Sequence, residues 1–305
     1  MRRPILTAVA VAISMVLLSA DAFAAVVATP VRTDPSRLEY EGSGNADYFA
    51  WTQDQADAYF QRNVWVLPTG GKEYEVSAGG GQAVSGQMDH TGSLLPYEHC
   101  VHDACDIVLF DMSTKTEQPL PAGINTTTKA EIFPALYGDQ MTFLRDGPSA
   151  DTLYLVTDLS TGAKVALKSI PDRRRGSFAS NEPRLTGNWV TYGVCNRTGC
   201  HAFRYDIAGS STIKVPNPLG KQYFAPSPDL AGNVYLEGCR SLCGVHASLV
   251  KWTGSGDPTA FYHFASGTAA AQTSVFDDGG GNVVLYVDFR TYSTGNFDVY
   301  SFTNP

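Results

Sequence analysis

Residues 133–167, FPALYGDQMTFLRDGPSADTLYLVTDLSTGAKVAL, decide how the rest of the chain is read. The stretch divides into a strand ending at Leu136, a turn at Gly138 and Asp139, a second strand over 140–145, a third over 152–159, and a fourth after Ser160, Thr161 and Gly162. Leu, Val, Tyr, Phe and Thr fill the strands, while the breaks fall at Gly, Asp and Ser, which suit turn dihedrals. Glycine followed by Asn, Asp or Ser is a two-residue hairpin signal, because glycine takes a positive φ at the first central position without steric cost. If the stretch is a structural unit, that turn must recur at a fixed period.

The turn returns at Gly44-Asn45, Gly92-Ser93, Gly187-Asn188, Gly232-Asn233 and Gly281-Asn282, and with Gly138 the successive glycines are spaced by 48, 46, 49, 45 and 49 residues. A period in the forties with four strands per period is the signature of a β-propeller blade, and six turns predict six blades. Pro134, Pro183 and Pro228 keep step, each four residues before its turn glycine. Asp111, Asp158 and Asp206 each fall near the end of a third strand, where Asp caps turns. The expected fold is all-β: a six-bladed propeller of four-stranded antiparallel blades.

Residues 1–24 carry the pattern of a cleaved signal peptide, with Arg2 and Arg3, an apolar run over 5–18, and Ala22-Phe23-Ala24 as the cleavage site. The run is shorter than the roughly 18 residues a span needs, so membrane insertion is not expected. Arg2 and Arg3 leave twin-arginine export open beside the general route. The remainder, 25–305, reads as one domain of a secreted protein, extracellular or periplasmic, and as a monomer. It holds 20 basic against 29 acidic residues, a net charge of −9, which argues against nucleic acid as a partner. Long apolar stripes of helical period are missing, so helix should be scarce.

Six cysteines form three close pairs, Cys100/Cys105, Cys195/Cys200 and Cys239/Cys243, in the second, fourth and fifth units. In each pair the first Cys ends the second strand and the second opens the third. Residues facing each other across a short hairpin bring their Cβ atoms near disulfide distance, so three local bridges are expected in an oxidising compartment. Six cysteines formally allow fifteen connectivities. The competing use is a metal site, but Cys-x4-Cys and Cys-x3-Cys lack the usual two-residue knuckle. Neither metal nor cofactor is expected.

The first five units divide readily, although the second, from Gln82 to about Pro121, is the most irregular. The sixth offers three strands, over 273–276, 282–289 and 297–302, and then the chain stops. A blade lacking its fourth strand would leave an edge unpaired. The β-rich stretch over 26–31 lies at the other chain end and is expected to supply that strand and close the ring.

Pro226-Ser227-Pro228-Asp229 leading into Gly232-Asn233-Val234-Tyr235-Leu236, with echoes at 134–143 and 183–192, resembles the S-P-D-G-x-x-[IV]-x-[FY] repeat of TolB-like, WD40-like propellers. The resemblance runs over essentially all of 25–305 as a degenerate pattern. Only the fifth unit keeps Ser-Pro-Asp, and there the glycine does not follow directly. The family's namesake carries an N-terminal α/β domain before its propeller, for which 281 residues leave no room, so a role in that envelope complex is not implied.

In an antiparallel meander the turn from second to third strand and the link from the preceding blade share one end. That end should gather the disulfide loops with Asp54, Asp57, Tyr59, Phe60, His99, His102, Asp103, Asp146, Asp151, Arg197, Arg290 and Tyr292, and the link bearing Arg173, Arg174 and Arg175. A loop-rich end on a rigid ring is the usual ligand face. Arg173 to Arg175 suit an anionic group, His99, His102 and Asp103 have a spacing open to metal ligation, and Glu131 with Glu182 at the channel mouth are the candidate acid/base pair. Each also has a plain structural use as a solvated side chain.

No Gly-x-Ser-x-Gly, His-Glu-x-x-His or phosphate-loop motif occurs in its required context, and Gly279-Gly280-Gly281 joins two strands. The favoured expectation is a non-catalytic propeller binding a protein, peptide or cell-envelope glycan through its disulfide-stabilised face. The alternative is a secreted hydrolase or lyase acting on polysaccharide.

Overall fold

The computed structural model describes residues 26–55, 62–77, 81–102, 104–171, 182–196, 199–218, 220–239 and 247–305. The expected signal segment lies outside them. A short strand β1 (Thr29–Arg32) comes first. The first blade is β2 (Arg37–Gly44), β3 (Tyr48–Gln55), β4 (Arg62–Pro68) and β5 (Tyr74–Glu75). The second is β6 (Gln82–Ser85), β7 (Leu94–Val101), β8 (Ala104–Asp111) and β9 (Thr116–Gln118). The third is β10 (Glu131–Tyr137), β11 (Gln140–Arg145), β12 (Ala150–Asp158) and β13 (Ala163–Pro171). The fourth is β14 (Arg184–Thr186), β15 (Trp189–Asn196), β16 (Gly199–Asp206) and β17 (Ser211–Lys214). The fifth is β18 (Gln222–Pro228), β19 (Val234–Cys239), β20 (Ser248–Trp252) and β21 (Thr259–His263). The sixth is β22 (Thr268–Asp277), β23 (Val283–Thr291) and β24 (Asn296–Thr303), completed by β1 in the order β1-β24-β23-β22. The fold is thus a six-bladed β-propeller.

A twisted four-stranded sheet has two apolar faces, and here each is buried against a neighbouring blade. The apolar core is accordingly split into six clusters, one per interface. Ala50, Val64 and Val66 pack on Leu95 and Phe110 between the first and second blades. Ile107 and Leu109 meet Met141 and Phe143 between the second and third. Leu153 and Leu155 meet Val190 and Tyr192 between the third and fourth. Ala202 and Val215 meet Leu236 and Trp252 between the fourth and fifth. Tyr235 and Leu249 meet Leu285 and Phe302 between the fifth and sixth. Phe49 and Trp51 meet Val299 where the ring closes.

Closure uses the N-terminal strand, with Thr29 opposite Ser301, Pro30 opposite Tyr300 and Arg32 opposite Val299. Pro30 is tolerated because this is the outermost strand, where an amide donor can be spared. Val26 and Ala28 pack on the cluster between the fifth and sixth blades, and Val31 on the closing cluster.

The turn chemistry is more varied than the repeat suggests. Gly138 and Gly187, at φ 59° and 57°, sit in two-residue hairpins as expected. Gly232 and Gly281 also take positive φ but lie in longer connections, while Gly44 and Gly92 do not take it. After Gly44 the turn is organised by Asn45, whose Oδ1 accepts from the Asp47 and Tyr48 amides at 2.9 Å each. Asp111, Asp158 and Asp206 cap turns: Asp111 Oδ1 accepts from Ser113 N at 2.9 Å, Asp158 Oδ1 from Ser160 N at 2.9 Å, and Asp206 Oδ1 from Gly209 N at 3.0 Å.

Removing residues 26–32 should expose the outer edge of β24 and open the closing interface. The expected loss is roughly 3–6 kcal/mol, or about 10 °C in melting temperature, with aggregation on heating. Differential scanning calorimetry checks this; an unchanged transition would mean that the ring is held shut by other contacts.

Candidate functional site

The meander places the turns from second to third strand and the inter-blade links at one end of the ring. Two of these hairpins are pinned by disulfides, Cys100–Cys105 and Cys195–Cys200, whose residues are direct cross-strand partners. Cys239, at the same position of the fifth blade, is also disulfide-bonded, while Cys243 lies outside the described residues. In the second blade the hairpin turn begins at His102, which takes φ 59° and is exposed beside exposed Val101.

Of the residues expected to bind a ligand, Tyr59, Phe60, Asp103, Arg173, Arg174, Arg175 and Arg197 lie outside the described residues, as does Asp57. His99 is half-buried on β7 and close against the first strand of its blade: a Cβ on Gly81 would lie 2.9 Å from its Nε2. Among the described residues, the one grouping of His, Cys and carboxylate atoms at metal-ligand spacing is Glu98 with Cys100 and Cys105, whose sulfurs are joined to each other. On the sixth blade Arg290 lies over exposed Tyr292, 4.9 Å from the ring centroid.

Glu131 and Glu182 are both fully buried. Arg145 Nε donates to Glu131 Oε1 at 2.6 Å, and Thr126 N and Oγ1 donate to the same carboxylate. Glu182 accepts from Arg184 Nη2 at 2.7 Å and from Gln272 Nε2 at 2.5 Å. The two carboxylates are thus tied into different networks.

The axis holds a set of acids that the sequence reading did not single out. The innermost strands bulge at 40–43, 132–135, 224–227 and 270–273, with Glu41, Phe133 and Ala225 in left-handed backbone. A bulge frees amides from the ladder, and buried amides need acceptors. Carboxylates from second strands of preceding blades provide them. Asp288 accepts from Glu41 N at 2.5 Å and from Gly42 N at 3.3 Å, Glu98 accepts from Phe133 N, and Glu237 accepts from Ala270 N at 3.2 Å. Gln272 Nε2 also donates to Glu41 Oε1 at 2.9 Å, so one amide bridges Glu41 and Glu182.

Burial dominates the electrostatics of these groups. It pushes Glu98 and Glu237 up to about 8 and Asp288 up to about 7, against the lowering effect of the amides they accept from. Glu41 is raised well above the usual carboxylate range by burial and by the neighbouring Glu182 and Glu98. Glu182 is raised by burial and held back by Arg184.

At the opposite end of the axis the irregular second blade reaches across to other blades. After β6 the chain runs inward: Gln87 N donates to Pro134 O and Leu136 N to Gln87 O, both at 3.0 Å. The Gln87 side chain then reaches across to the fourth blade, donating from Nε2 to Leu185 O at 2.5 Å and accepting from Leu185 N at 3.2 Å. His90 fills in behind, edge-on to Tyr137 and Phe276, and burial lowers it to about 4.

No family model and no curated protein matches this sequence. Solved structures do. TolB from Acinetobacter baumannii is similar at a TM-score of 0.55 and 15% identity over 84% of this chain, which spans 64% of that protein. A putative TolB from Agrobacterium tumefaciens gives 0.55 and 11% over 88% of this chain and 91% of its own. An acylaminoacyl peptidase from Pyrococcus horikoshii gives 0.52 and 10%, with this chain spanning 47% of the peptidase. At these identities the likeness shows a shared propeller fold, TolB-like in architecture.

The raised acids predict a pH dependence of known sign. A carboxyl whose folded pKa exceeds its unfolded value of 4.5 or 3.8 contributes stability that is fully present below the unfolded value and is lost as pH rises through the folded one. Thermal stability should therefore fall between about pH 5 and about pH 8.5. Glu98→Gln, which keeps an acceptor for Phe133 N and has no proton to lose, should flatten part of that slope. A melting temperature that rises steadily across the window would show that these groups fold ionised.

Proposed function

We propose that this protein is an extracytoplasmic, non-catalytic propeller that binds a protein, peptide or cell-envelope glycan through the face bearing its disulfide hairpins. The observation that carries the reading is the placement of the disulfides. Bridging residues only five apart stabilises a fold by about 2 kcal/mol in the chain-entropy model, near the low end for such bonds. The main effect is local: each bond pins a hairpin tip at one end of the ring, which lowers the ordering cost of binding there. Disulfides also suit an oxidising compartment, in keeping with the signal-like residues 1–24.

Arg173, Arg174 and Arg175 are the contacts proposed for an anionic group on the partner, since on an acidic chain they form a local reversal of charge. Once a partner is captured with immobilised protein, replacing all three by Ala should weaken binding about tenfold at low salt and less at high salt, with the melting temperature unchanged. Equal affinity at low salt would sink the assignment of this link to the interface.

One observation favours polysaccharide cleavage as a second reading. Glu41 and Glu182 each accept through one oxygen from the same amide nitrogen, Gln272 Nε2, so those oxygens lie no more than about 5.4 Å apart, near the separation of a retaining carboxylate pair. On a panel of plant and bacterial polysaccharides, this reading expects a cleaving activity that Glu182→Gln abolishes and Glu131→Gln reduces. No turnover by the native protein, or turnover that survives Glu182→Gln, would remove it.

A further inference from the structure

At the rim of the disulfide end, between the outer strands of the fourth blade and the link into the fifth, lies a cleft of about 410 Å³. His201, Lys214 and Lys221 line it, with Val215 and Pro216 beneath them. Three separate segments bring the basic groups together. His201 follows Cys200 on β16, so the Cys195–Cys200 bond anchors its base. Lys214 ends β17 opposite Phe203, and the next residue continues the pairing through Val215 N donating to Ala202 O at 3.0 Å. Lys221 is held by Asn217, whose Oδ1 accepts from Lys221 N at 2.8 Å and whose Nδ2 donates to Lys221 O. The walls are therefore set by backbone pairing, a disulfide and a side-chain clasp.

The charges in this cleft are unbalanced. Among the described residues neither lysine forms an ion pair, in a chain with a net charge of −8. The His201 Nδ1 is shut off from solvent and has no hydrogen-bond partner. Burial, and then Lys214, lower the basicity of that ring, so near neutral pH it is an uncharged imidazole able to donate one N–H.

We propose that this cleft binds a phosphate group, free or as a monoester, with Lys214 and Lys221 neutralising its two charges beside the His201 ring. Charge matching separates phosphate from carboxylate. A dianion satisfies both lysines, whereas a single carboxylate leaves one unpaired. Lysines are point charges without the planar fork that selects carboxylates, so the site has no geometric bias against a tetrahedral group. The volume exceeds that of a bare phosphate and falls in the range of small-molecule sites, which leaves room for an organic remainder. The inference goes beyond the partner-binding reading and does not depend on it.

The test is calorimetric titration of the intact protein at about pH 7.5 and low salt, using inorganic phosphate and, separately, glycerol phosphate. Saturable binding with a Kd of about 0.1–1 mM is expected. The double variant Lys214→Gln/Lys221→Gln should weaken it at least about tenfold while melting like the native protein without phosphate. Because both lysines sit at the surface of the rim, either single variant serves as a second check. Tighter binding of glycerol phosphate assigns a monoester, and equal affinities assign free phosphate. Failure to saturate by tens of millimolar, or a double variant that binds like the native protein, overturns the proposal; loss of partner capture at the hairpin face leaves it standing.

Discussion

The structure depends on one constraint: no blade can bury its own two faces. Each sheet presents apolar side chains on both sides, and a fully buried Leu, Val or Phe contributes about 1.5–3 kcal/mol only when a neighbour covers it. Six blades therefore need six interfaces, and the six separate core clusters are the direct outcome. Among the described residues the closing interface has the fewest buried apolar side chains, Phe49, Trp51 and Val299. It is reinforced by Arg32, which lies over Trp51 at 4.1 Å and pairs with Glu73 at 2.9 Å, so β1 completes a sheet and also clamps the first blade to the last.

Ring geometry then dictates what happens at the axis. Innermost strands converge, and bulges in four of them turn amides away from their ladders. Apolar side chains would leave those donors unsatisfied, a cost of about 1–3 kcal/mol each. Asp288, Glu98 and Glu237 accept from them, and the same burial that makes the acceptors necessary opposes their ionisation. The axis is thus stitched from blade to blade by acids that favour the protonated form. Thr191 and Thr273 extend the stitching with hydroxyls donated to Pro226 O and Ala225 O.

Much of the fold was legible because its cause is periodic. The strand over 140–145 appears with those bounds, and a β-rich N-terminal stretch does close the ring, shifted to Thr29–Arg32. Turn glycines kept the count even where their conformation differed, since Gly44 and Gly92 mark the period without adopting positive φ. The axial acids were not legible. Glu98, Glu237 and Asp288 lie five to seven residues past Gly92, Gly232 and Gly281, a weak positional echo hidden by loops of unequal length. Gln272 links Glu41 to Glu182, three residues from blades far apart in sequence, and only closure of the ring brings them together.

The second blade shows how a departure from the repeat acquires a use. Its first strand stops at Ser85, and the following residues pair with the third blade instead of turning back. Gly86 permits this, because a Cβ there would lie 2.3 Å from Pro134 O and 2.7 Å from Pro96 O, distances no side chain tolerates. With that passage open, Gln87 can span to Leu185, and His90 can enter a buried setting that disfavours its charged form. One end of the ring is thereby crossed by backbone and amide contacts, while the other carries the pinned hairpins and the basic cleft. A single glycine, required by a close approach of backbones, is what lets the second blade run across to its neighbours at that end.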